Sequence, residues 1–500
     1  MNKNAIKKNV IISFCGQLLV IMMGFLIPKI MISRYGSDVN GLLGTITQVC
    51  AYMALLEAGI TTASRNELLK PISENDRQGV CNALSISQRY FRGITWIYAF
   101  CVVAFSIILP FILKSNVDKV IIFWAVLLEG FSGVIGFYYI ETFSTLLSVD
   151  GRSYVNNAVN TSIKLLVYFT KLTLANYGLP IIILQLVTFI ITIGKVVVYR
   201  WYINKYYSWV LLENIPNELK LKDRNAYVIT EIAGTISSST DLIVLSVFIG
   251  TTYSSVYSVY NMIFANLSVM LNAVYFSVIY IVGQAYHKDL KEYQRLHDLF
   301  TSIFVGGITI LVSTACLVCI PFLKIYTRGF SDQNYILNSY PVMFSIVQLL
   351  SWSRYVAGNL TGISGYAKKT SYVSMAEAAI NVSVSIALVK RLGINGVLLG
   401  SIISVLVKVV WCIYVADNKV MKRSYGKSAM ILGGNYLLFA MSIMVRRHYE
   451  FECSGYGQLL WVGVACFSAV AILGVVINCI INPECVTVLK MLLKRKRVNN

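Results

Sequence analysis

The sequence predicts an all-α polytopic membrane protein, and three observations lead to that class. Hydrophobic residues make up 57% of the chain and charged residues 13%, whereas a soluble domain has about 25% charged residues. The mean hydropathy is +0.67. Apolar runs of about 20 residues recur along the chain, each long enough to cross about 30 Å of hydrocarbon as a helix. They lack the alternation of membrane barrel strands, so helices must satisfy the backbone in lipid.

Taken in order, the apolar runs predict about fourteen transmembrane helices, numbered here as spans one to fourteen. The spans cover residues 9–33, 39–64, 93–113, 120–146, 155–176, 179–200, 226–249, 254–283, 299–323, 337–362, 370–389, 393–416, 428–445 and 457–481. The longest connection between them is the one at 65–92. The connections therefore leave no room for a soluble domain.

The net charge of +20 raises the question of a nucleic-acid partner, and its distribution argues against one. With the N-terminus in the cytoplasm, the cytoplasmic side collects about 28 Lys and Arg, the outer side about 9, and the spans about 6. This asymmetry is typical of the positive-inside rule. It predicts that both termini are cytoplasmic, and that the basic tail at 494–497 anchors the topology near anionic membrane lipids.

The first span and the cysteines both have simple structural explanations. The first span follows basic residues, as in a signal peptide, but it is too long for an h-region and has no small-residue cleavage pattern. We therefore keep it as the first helix. The eleven cysteines are scattered, most of them within spans. Cys316 and Cys319 form a C-x-x-C inside a span without flanking ligands, which favours apolar packing. We expect no metal site and no cofactor.

The two halves of the chain share four landmarks at nearly one offset, which indicates an internal repeat. The stretch "ILPFILK" returns as "CIPFLK", and Pro110 and Pro321 are 211 apart. Gly36 in "SRYGSDVNGLL" and Gly250 in "SVFIGTTYSSVYSV" are 214 apart. The two "SYV" triplets are 218 apart, and "NYGLPIIIL" is echoed by "RLGINGVLLG" at a similar offset.

The repeat unit contains about six helices, and an even number makes both copies enter the membrane from the same side. Such a parallel repeat has its axis along the membrane normal and is found in alternating-access transporters. We therefore predict two pseudo-symmetric six-helix lobes and two extra C-terminal helices. The predicted parts are an N-terminal lobe (1–203), a cytoplasmic linker (204–225), a C-terminal lobe (226–418) and helices thirteen and fourteen with a basic tail (419–500).

Two stretches resemble a known family. The first is "RYGSDVNGLLGTITQVCAYMALLEAGITTASR", which is similar to the second-helix region of polysaccharide flippases. The second is "SSSTDLIVLSVFIGTTYSSVYSVYNMI", which is similar to helices seven and eight of the same proteins. These flippases, of the Wzx type found with capsule or O-antigen clusters, belong to the multidrug/oligosaccharidyl-lipid/polysaccharide exporter superfamily. The similarity covers most of the chain up to about Asn418 and rests on spacing rather than on short catalytic motifs.

The resemblance implies a flippase rather than an enzyme. Its cargo would be an oligosaccharide repeat unit linked to undecaprenyl pyrophosphate, moved from the cytoplasmic to the outer leaflet for surface polysaccharide synthesis (capsule, O-antigen or lipopolysaccharide). The implied location is the bacterial inner or plasma membrane. The implied partners are the lipid-linked oligosaccharide, membrane lipids, a proton or sodium ion as coupling ion, and a glycan polymerase.

Polar residues within the spans are candidates for the site, because charges at membrane depth are costly. Cations suit a pyrophosphate, and amides and aromatic faces suit sugars. The candidate substrate-binding residues are Lys164, Arg354, Arg65, Asn160, Tyr257 and Asn261. Most lie on polar stripes at helical spacing. Snorkelling at a helix end explains Arg65 equally well. The eighth span carries an aromatic stripe of Tyr253, Tyr257 and Tyr260 with Asn261, and an interfacial belt or packing is the alternative for its tyrosines.

Three acids are candidates for ion coupling: Asp241, Glu57 and Glu377. For Glu57 and Glu377, pairing with a Lys or Arg is an equal alternative. Asp241 follows four hydroxyl residues and has no basic residue nearby in its segment, so its partner comes from another helix or it is protonated. A local cap is the structural alternative for Asp241, whereas the family resemblance implies a cavity-facing carboxylate.

Other functions stay open at this point. A multidrug or cation antiporter of the same superfamily would share the fold and the repeat, but its cavity should be acidic, whereas this one offers Lys164 and Arg354. A membrane glycan polymerase or ligase usually has a large outer loop with catalytic residues. The longest outer loops here, about 324–336 and 446–456, are short and lack a paired carboxylate or histidine arrangement. A channel is disfavoured by the two-lobe repeat.

Overall fold

The computed structural model describes residues 3–57, 60–212, 240–286, 289–449, 451–488 and 490, and within these ranges all regular structure is helical. The first helices are α1 (Lys3–Met53), α2 (Ile60–Ser73), α3 (Arg77–Ile112), α4 (Lys119–Tyr139), α5 (Glu141–Val149), α6 (Ser153–Asn176), α7 (Ile181–Tyr206) and α8 (240–248). The later helices are α9 (Thr251–Tyr286), α10 (Leu290–Tyr326), α11 (Ser339–Ser353), α12 (Tyr355–Ile363), α13 (Ala367–Leu392), α14 (Ile394–Tyr414), α15 (Gly426–His448) and α16 (Tyr456–Ile481). A π-helical turn, Val415–Val420, extends α14.

The predicted polytopic class is confirmed. In the described part of the chain, nine helices are long and apolar enough to cross a membrane. The helices also match the predicted spans in order: α1 holds the first span and the part of the second up to Met53, separated at Gly36, whose φ of 83° interrupts the helix. The tenth span is divided between α11 and α12. The chain is a multi-pass membrane protein.

Three predicted features lie outside the described residues in whole or in part. These are the linker beyond Leu212, the start of the seventh span up to residue 239, and the basic tail at 494–497.

The chain divides into two compact units, Met1–Ser258 and Val259–Asn500. In the first unit, the second half of α1 packs on α3 and α4 through a buried cluster that includes Leu42, Tyr98 and Phe137. In the second unit, α10 is the central helix and packs against α11, α15 and α16. The predicted lobes, residues 1–203 and 226–418, are units of the transport mechanism and not of compact packing. They stay a prediction.

The internal repeat is visible in the backbone as well as in the sequence. Three pairs of glycines adopt positive φ at matching positions, where a Cβ would strain the backbone. The pairs are Gly36 and Gly250 (φ 83° and 132°), Gly151 and Gly365 (74° and 84°), and Gly178 and Gly393 (71° and 58°). The offset within each pair is 214 or 215. The repeated prolines, Pro110 and Pro321, both lie near the ends of long helices.

The two helices outside the repeat are joined by buried amides. Asn435 on α15 and Asn478 on α16 are 0% and 6% exposed. Each donates a hydrogen bond to the side-chain oxygen of the other, at 3.1 and 3.0 Å. Asn482, just beyond α16, donates to Ser302 of α10 at 3.2 Å. Polar groups in an apolar interior must find such partners, so these bonds fix α15 and α16 to each other and to α10.

Candidate functional site

The second unit contains a buried group of three charged side chains, named here the Glu377 cluster: Arg354, Glu377 and Lys408. Arg354 Nη1 lies 2.7 Å from Glu377 Oε1, and Lys408 Nζ lies 2.9 Å from Glu377 Oε2. One carboxylate therefore holds two cations, one on each oxygen.

Three backbone elements position this cluster. Arg354 lies at the break between α11 and α12, Glu377 lies on α13, and Lys408 lies on α14. Helices α13 and α14 form an antiparallel pair. They are joined by Gly393, whose positive φ of 58° permits the tight connection. One turn beyond Glu377, Asn381 donates to Ser401 of α14 at 2.9 Å and holds the two helices in register.

The Glu377 cluster contains two cations and one carboxylate, so it carries one positive charge in excess. Glu377 is 1% exposed, whereas Arg354 and Lys408 are 17% and 19% exposed. Burial of charges is tolerated only with good pairing geometry, and both pairs have it. The open edges of the two cations and the uncompensated charge suit the cluster to an anion.

Lys408 was missed in the sequence because its immediate neighbours are apolar ("VLVKVVW"). A signal was nevertheless present. Ser401, Ser404, Lys408 and Cys412 recur at spacings of 3, 4 and 4, which place them on one face of a helix. This face is the one that meets Asn381 and Glu377.

The first unit contains a second group of charged side chains, named here the Glu141 cluster: Glu57, Glu141 and Lys195. Glu57 accepts a hydrogen bond from Thr61 at 2.7 Å. Glu57 lies near Glu141, and Glu141 lies near Lys195. Among the described residues no direct ion pair joins the three. The cluster therefore contains two acids and one lysine.

Asp241 lies on α8 and has a buried hydroxyl partner. The hydroxyl of Tyr257 on α9, 8% exposed, donates to Asp241 Oδ2 at 2.6 Å. The neighbouring Thr240 forms a short hydrogen bond with Tyr52 of α1. Tyr257, predicted to bind substrate, and Asp241, predicted to couple an ion, therefore lie in contact with each other.

The other predicted substrate residues lie on more open surfaces. Lys164 and Asn160 on α6, and Arg65 on α2, are exposed. The Lys164 ammonium lies 5.8 Å from the ring centre of Tyr168. Asn261 is half-buried. The aromatic stripe of α9 is divided, because Tyr260 is fully buried and donates to the Tyr335 carbonyl at 2.7 Å.

A metal centre is not found in the part of the chain that the structure describes, where no group of three His, Cys, Asp or Glu residues could hold an ion. Cys316 and Cys319 are both buried within α10. Cys316 belongs to the main apolar cluster of the second unit.

The comparisons with known proteins concern the fold. No protein-family model matches the chain, and no curated protein matches it. The chain is similar to the lipid II flippase MurJ in an inward closed conformation, with a TM-score of 0.68 and 12% identity over 92% of this chain and 98% of that one. It is similar to an inward-facing multidrug resistance MATE family transporter of the MOP superfamily, with a TM-score of 0.65 and 12% identity over 82% of this chain and 98% of that one.

A third similar structure is a MATE protein in a bent conformation, with a TM-score of 0.52 and 14% identity over 88% of this chain and 97% of that one. At such low identities the likeness establishes a shared fold. Membership of the superfamily that the sequence resembles, and of its polysaccharide-flippase branch, stays a prediction.

Proposed function

We propose that the chain is a flippase for oligosaccharide repeat units linked to undecaprenyl pyrophosphate. It moves them from the cytoplasmic to the outer leaflet by alternating access, for surface polysaccharide synthesis. The observation that carries this proposal is the Glu377 cluster, with two cations for one buried carboxylate. The fold shared with a lipid II flippase supports it.

In this proposal the pyrophosphate binds Arg354 and Lys408. The Arg354 guanidinium has five N–H donors in a planar fork that matches phosphate oxygens. Glu377 holds both cations in place before cargo arrives, so that their orientation is already fixed. Lys164 and Arg65 are further cations, and Asn160, Asn261 and Tyr257 offer amide and aromatic contacts to sugars.

The cycle needs a driving force, and the proposal assigns it to a proton or sodium ion at Asp241 or Glu57. Both are carboxylates with hydroxyl partners, Tyr257 and Thr61. Glu377 is already occupied by two cations, which favours the pairing role that the sequence left open for it over ion coupling.

The location that follows is a bacterial cell membrane with both termini in the cytoplasm, where a glycan polymerase is a suitable partner. Cysteine labelling in a Cys-free background checks the orientation. We expect a cysteine at Lys422 to react only from the cytoplasmic side and one at Phe330 only from outside. Reaction of the Lys422 position from outside would contradict the orientation.

The cargo is tested by direct binding. Purified protein should bind an undecaprenyl-pyrophosphate oligosaccharide, and cells depleted of the protein should accumulate the lipid-linked intermediate. The control is a lipid with the same hydrocarbon chain and a neutral head group. Equal binding of both lipids, with no accumulation in depleted cells, would contradict the proposed cargo.

A second candidate is a multidrug or cation antiporter, and the Glu141 cluster favours it. Two acids against one lysine would attract a cationic drug, and a MATE transporter shares the fold. The substitution Glu141→Gln distinguishes the two functions. If the protein is an antiporter, we expect the variant to lose transport of a cationic dye. If it is a flippase, we expect oligosaccharide export to stay above about half of the wild-type rate.

A further inference from the structure

The second unit contains a cavity outside both charge clusters, at the end where three helices meet. It lies among the last turns of α10, the first turn of α11 and the last turn of α15. Its volume is about 280 Å³. Ligand sites in proteins start at about 300 Å³, so the cavity suits a head group rather than a whole large ligand.

The lining of the cavity has two chemical halves. Leu317, Ile320, Val342 and Ile443 form an apolar wall, and Lys324, Arg446 and Arg447 contribute cations. Of the described residues that line it, none is acidic. An apolar wall that ends in guanidinium groups matches a molecule with a hydrocarbon chain and an anionic head.

The Arg446 side chain is held in place by the protein. Its Nη2 donates to the Asn338 carbonyl at 2.8 Å, and its Nη1 lies 3.8 Å from Cys316 Sγ. A guanidinium has five N–H donors, so this anchoring leaves donors for an oxyanion. Arg447 is exposed beside it. Guanidinium groups bind phosphate oxygens in a bidentate manner.

The depth of the cavity agrees with a lipid head group. Aromatic residues mark membrane–water interfaces, and Tyr449 and Phe451 line the cavity. Cations in the last turn of a helix also stabilise its dipole and snorkel to the interface. Those effects explain why Arg446 and Arg447 lie at the end of α15, but not why a cavity opens between them and two other helices.

We propose that this cavity binds the phosphate head group of an anionic phospholipid, with one acyl chain along the apolar wall between α10 and α15. The site involves α15, outside the repeat, and its lining does not include the residues that we propose for the pyrophosphate, Arg354 and Lys408. It gives the extra C-terminal helices a lipid-dependent contact with the central helix of the second unit.

The experiment measures lipid binding to the purified full chain by native mass spectrometry, with phosphatidylglycerol, phosphatidylcholine and inorganic phosphate as probes. The variants are Arg446→Gln with Arg447→Gln, and Arg447→Gln alone, which removes no hydrogen bond to any of the described residues. The matched control is Lys390→Gln with Arg391→Gln, which removes two cations from the last turn of α13.

We expect the double variant to weaken phosphatidylglycerol binding by about tenfold to a hundredfold, as expected for lost charge-assisted hydrogen bonds. Arg447→Gln alone should weaken it less, and the control should leave it unchanged. Equal binding to wild type and double variant, or equal binding of phosphatidylcholine, would overturn the proposal. Binding of inorganic phosphate, with no binding of phosphatidylglycerol, would assign the cavity to a soluble anion instead.

Discussion

Two residues of the Glu141 cluster occupy the same positions of the repeat as two residues of the Glu377 cluster, but the two clusters differ in their balance of acids and cations. Glu141 and Arg354 each lie at a break in a helix, between α4 and α5 and between α11 and α12, and they are 213 apart. Lys195 and Lys408 are also 213 apart. The lysine is therefore retained at one position, while the residue at the break is an acid in the first unit and an arginine in the second.

This difference teaches that the repeat conserves backbone geometry but not charge. The same broken helix brings a side chain toward the same lysine-bearing helix in each unit. In the second unit the two cations require a third residue, Glu377, and direct contacts form. In the first unit the acid, Glu141, already lies near a lysine, and a second acid, Glu57, lies near it as well.

Of the substitutions that test this comparison, Glu377→Gln is expected to have the largest effect, which is on the free energy of unfolding. Loss of the carboxylate charge leaves two buried cations side by side, and breaking such a buried pair lowers the free energy of unfolding by about 3–5 kcal/mol. Thermal unfolding in detergent measures it. Glu141→Gln is the matched control and should cost less, because no direct ion pair is lost among the described residues. Equal losses in both variants would remove the distinction between the clusters.

Cargo binding is expected to depend on the second unit through Arg354. Arg354→Ala should weaken binding of an undecaprenyl-pyrophosphate oligosaccharide by about tenfold to a hundredfold, and Arg354→Lys should not fully restore it because an ammonium lacks the bidentate fork. Lys164→Ala should have a smaller effect, since Lys164 is exposed. Lys70→Ala, at an 81% exposed side chain, is the control. Unchanged affinity in Arg354→Ala would shift the proposal toward the cation antiporter.

Coupling is expected to depend on Asp241 in the first unit. Asp241→Asn keeps an oxygen that accepts from Tyr257, so stability should fall by less than about 1 kcal/mol. Transport driven by a proton or sodium gradient should nevertheless decrease, while cargo binding stays unchanged. Tyr257→Phe removes the hydrogen bond but keeps the Asp241 charge and the aromatic ring, so ion-driven transport should be retained in this control. If transport by Asp241→Asn stays normal across pH and sodium concentration, the residue has a structural role only.

The smallest effects test the backbone repeat itself. Gly178 and Gly393 adopt φ of 71° and 58°, and neither has an atom close enough to obstruct a Cβ. Alanine at either position should therefore lower stability by about 1–2 kcal/mol through strain alone, and by the same amount at both. Gly194→Ala, within α7, should have no such cost. A clear difference between the two repeat positions would show that their surroundings are not equivalent.

Much of the fold could be predicted because hydrophobic length directly specifies a membrane helix. The breaks at Ile140 and Arg354 could not be predicted, since no proline or glycine marks them. In the site, Arg354 and Glu377 were identified as costly charges within spans, but their contact depends on packing between helices. Tyr260 shows a second limit of the sequence. It lies on a stripe predicted from spacing but is fully buried, because spacing alone cannot distinguish the wall of a cavity from a buried core.

The paired amides of Asn435 and Asn478 have a consequence for how the protein is made. The chain is synthesised from its N-terminus, so α15 reaches the bilayer before the helix that satisfies its amide exists. Until α16 arrives, the one hydrogen-bond partner of the Asn435 side chain among the described residues is the Ile431 carbonyl of its own helix, at 2.8 Å. We therefore expect a chain cut between the two helices to leave this buried amide without the partner that Asn478 supplies, and α15 to be held less firmly.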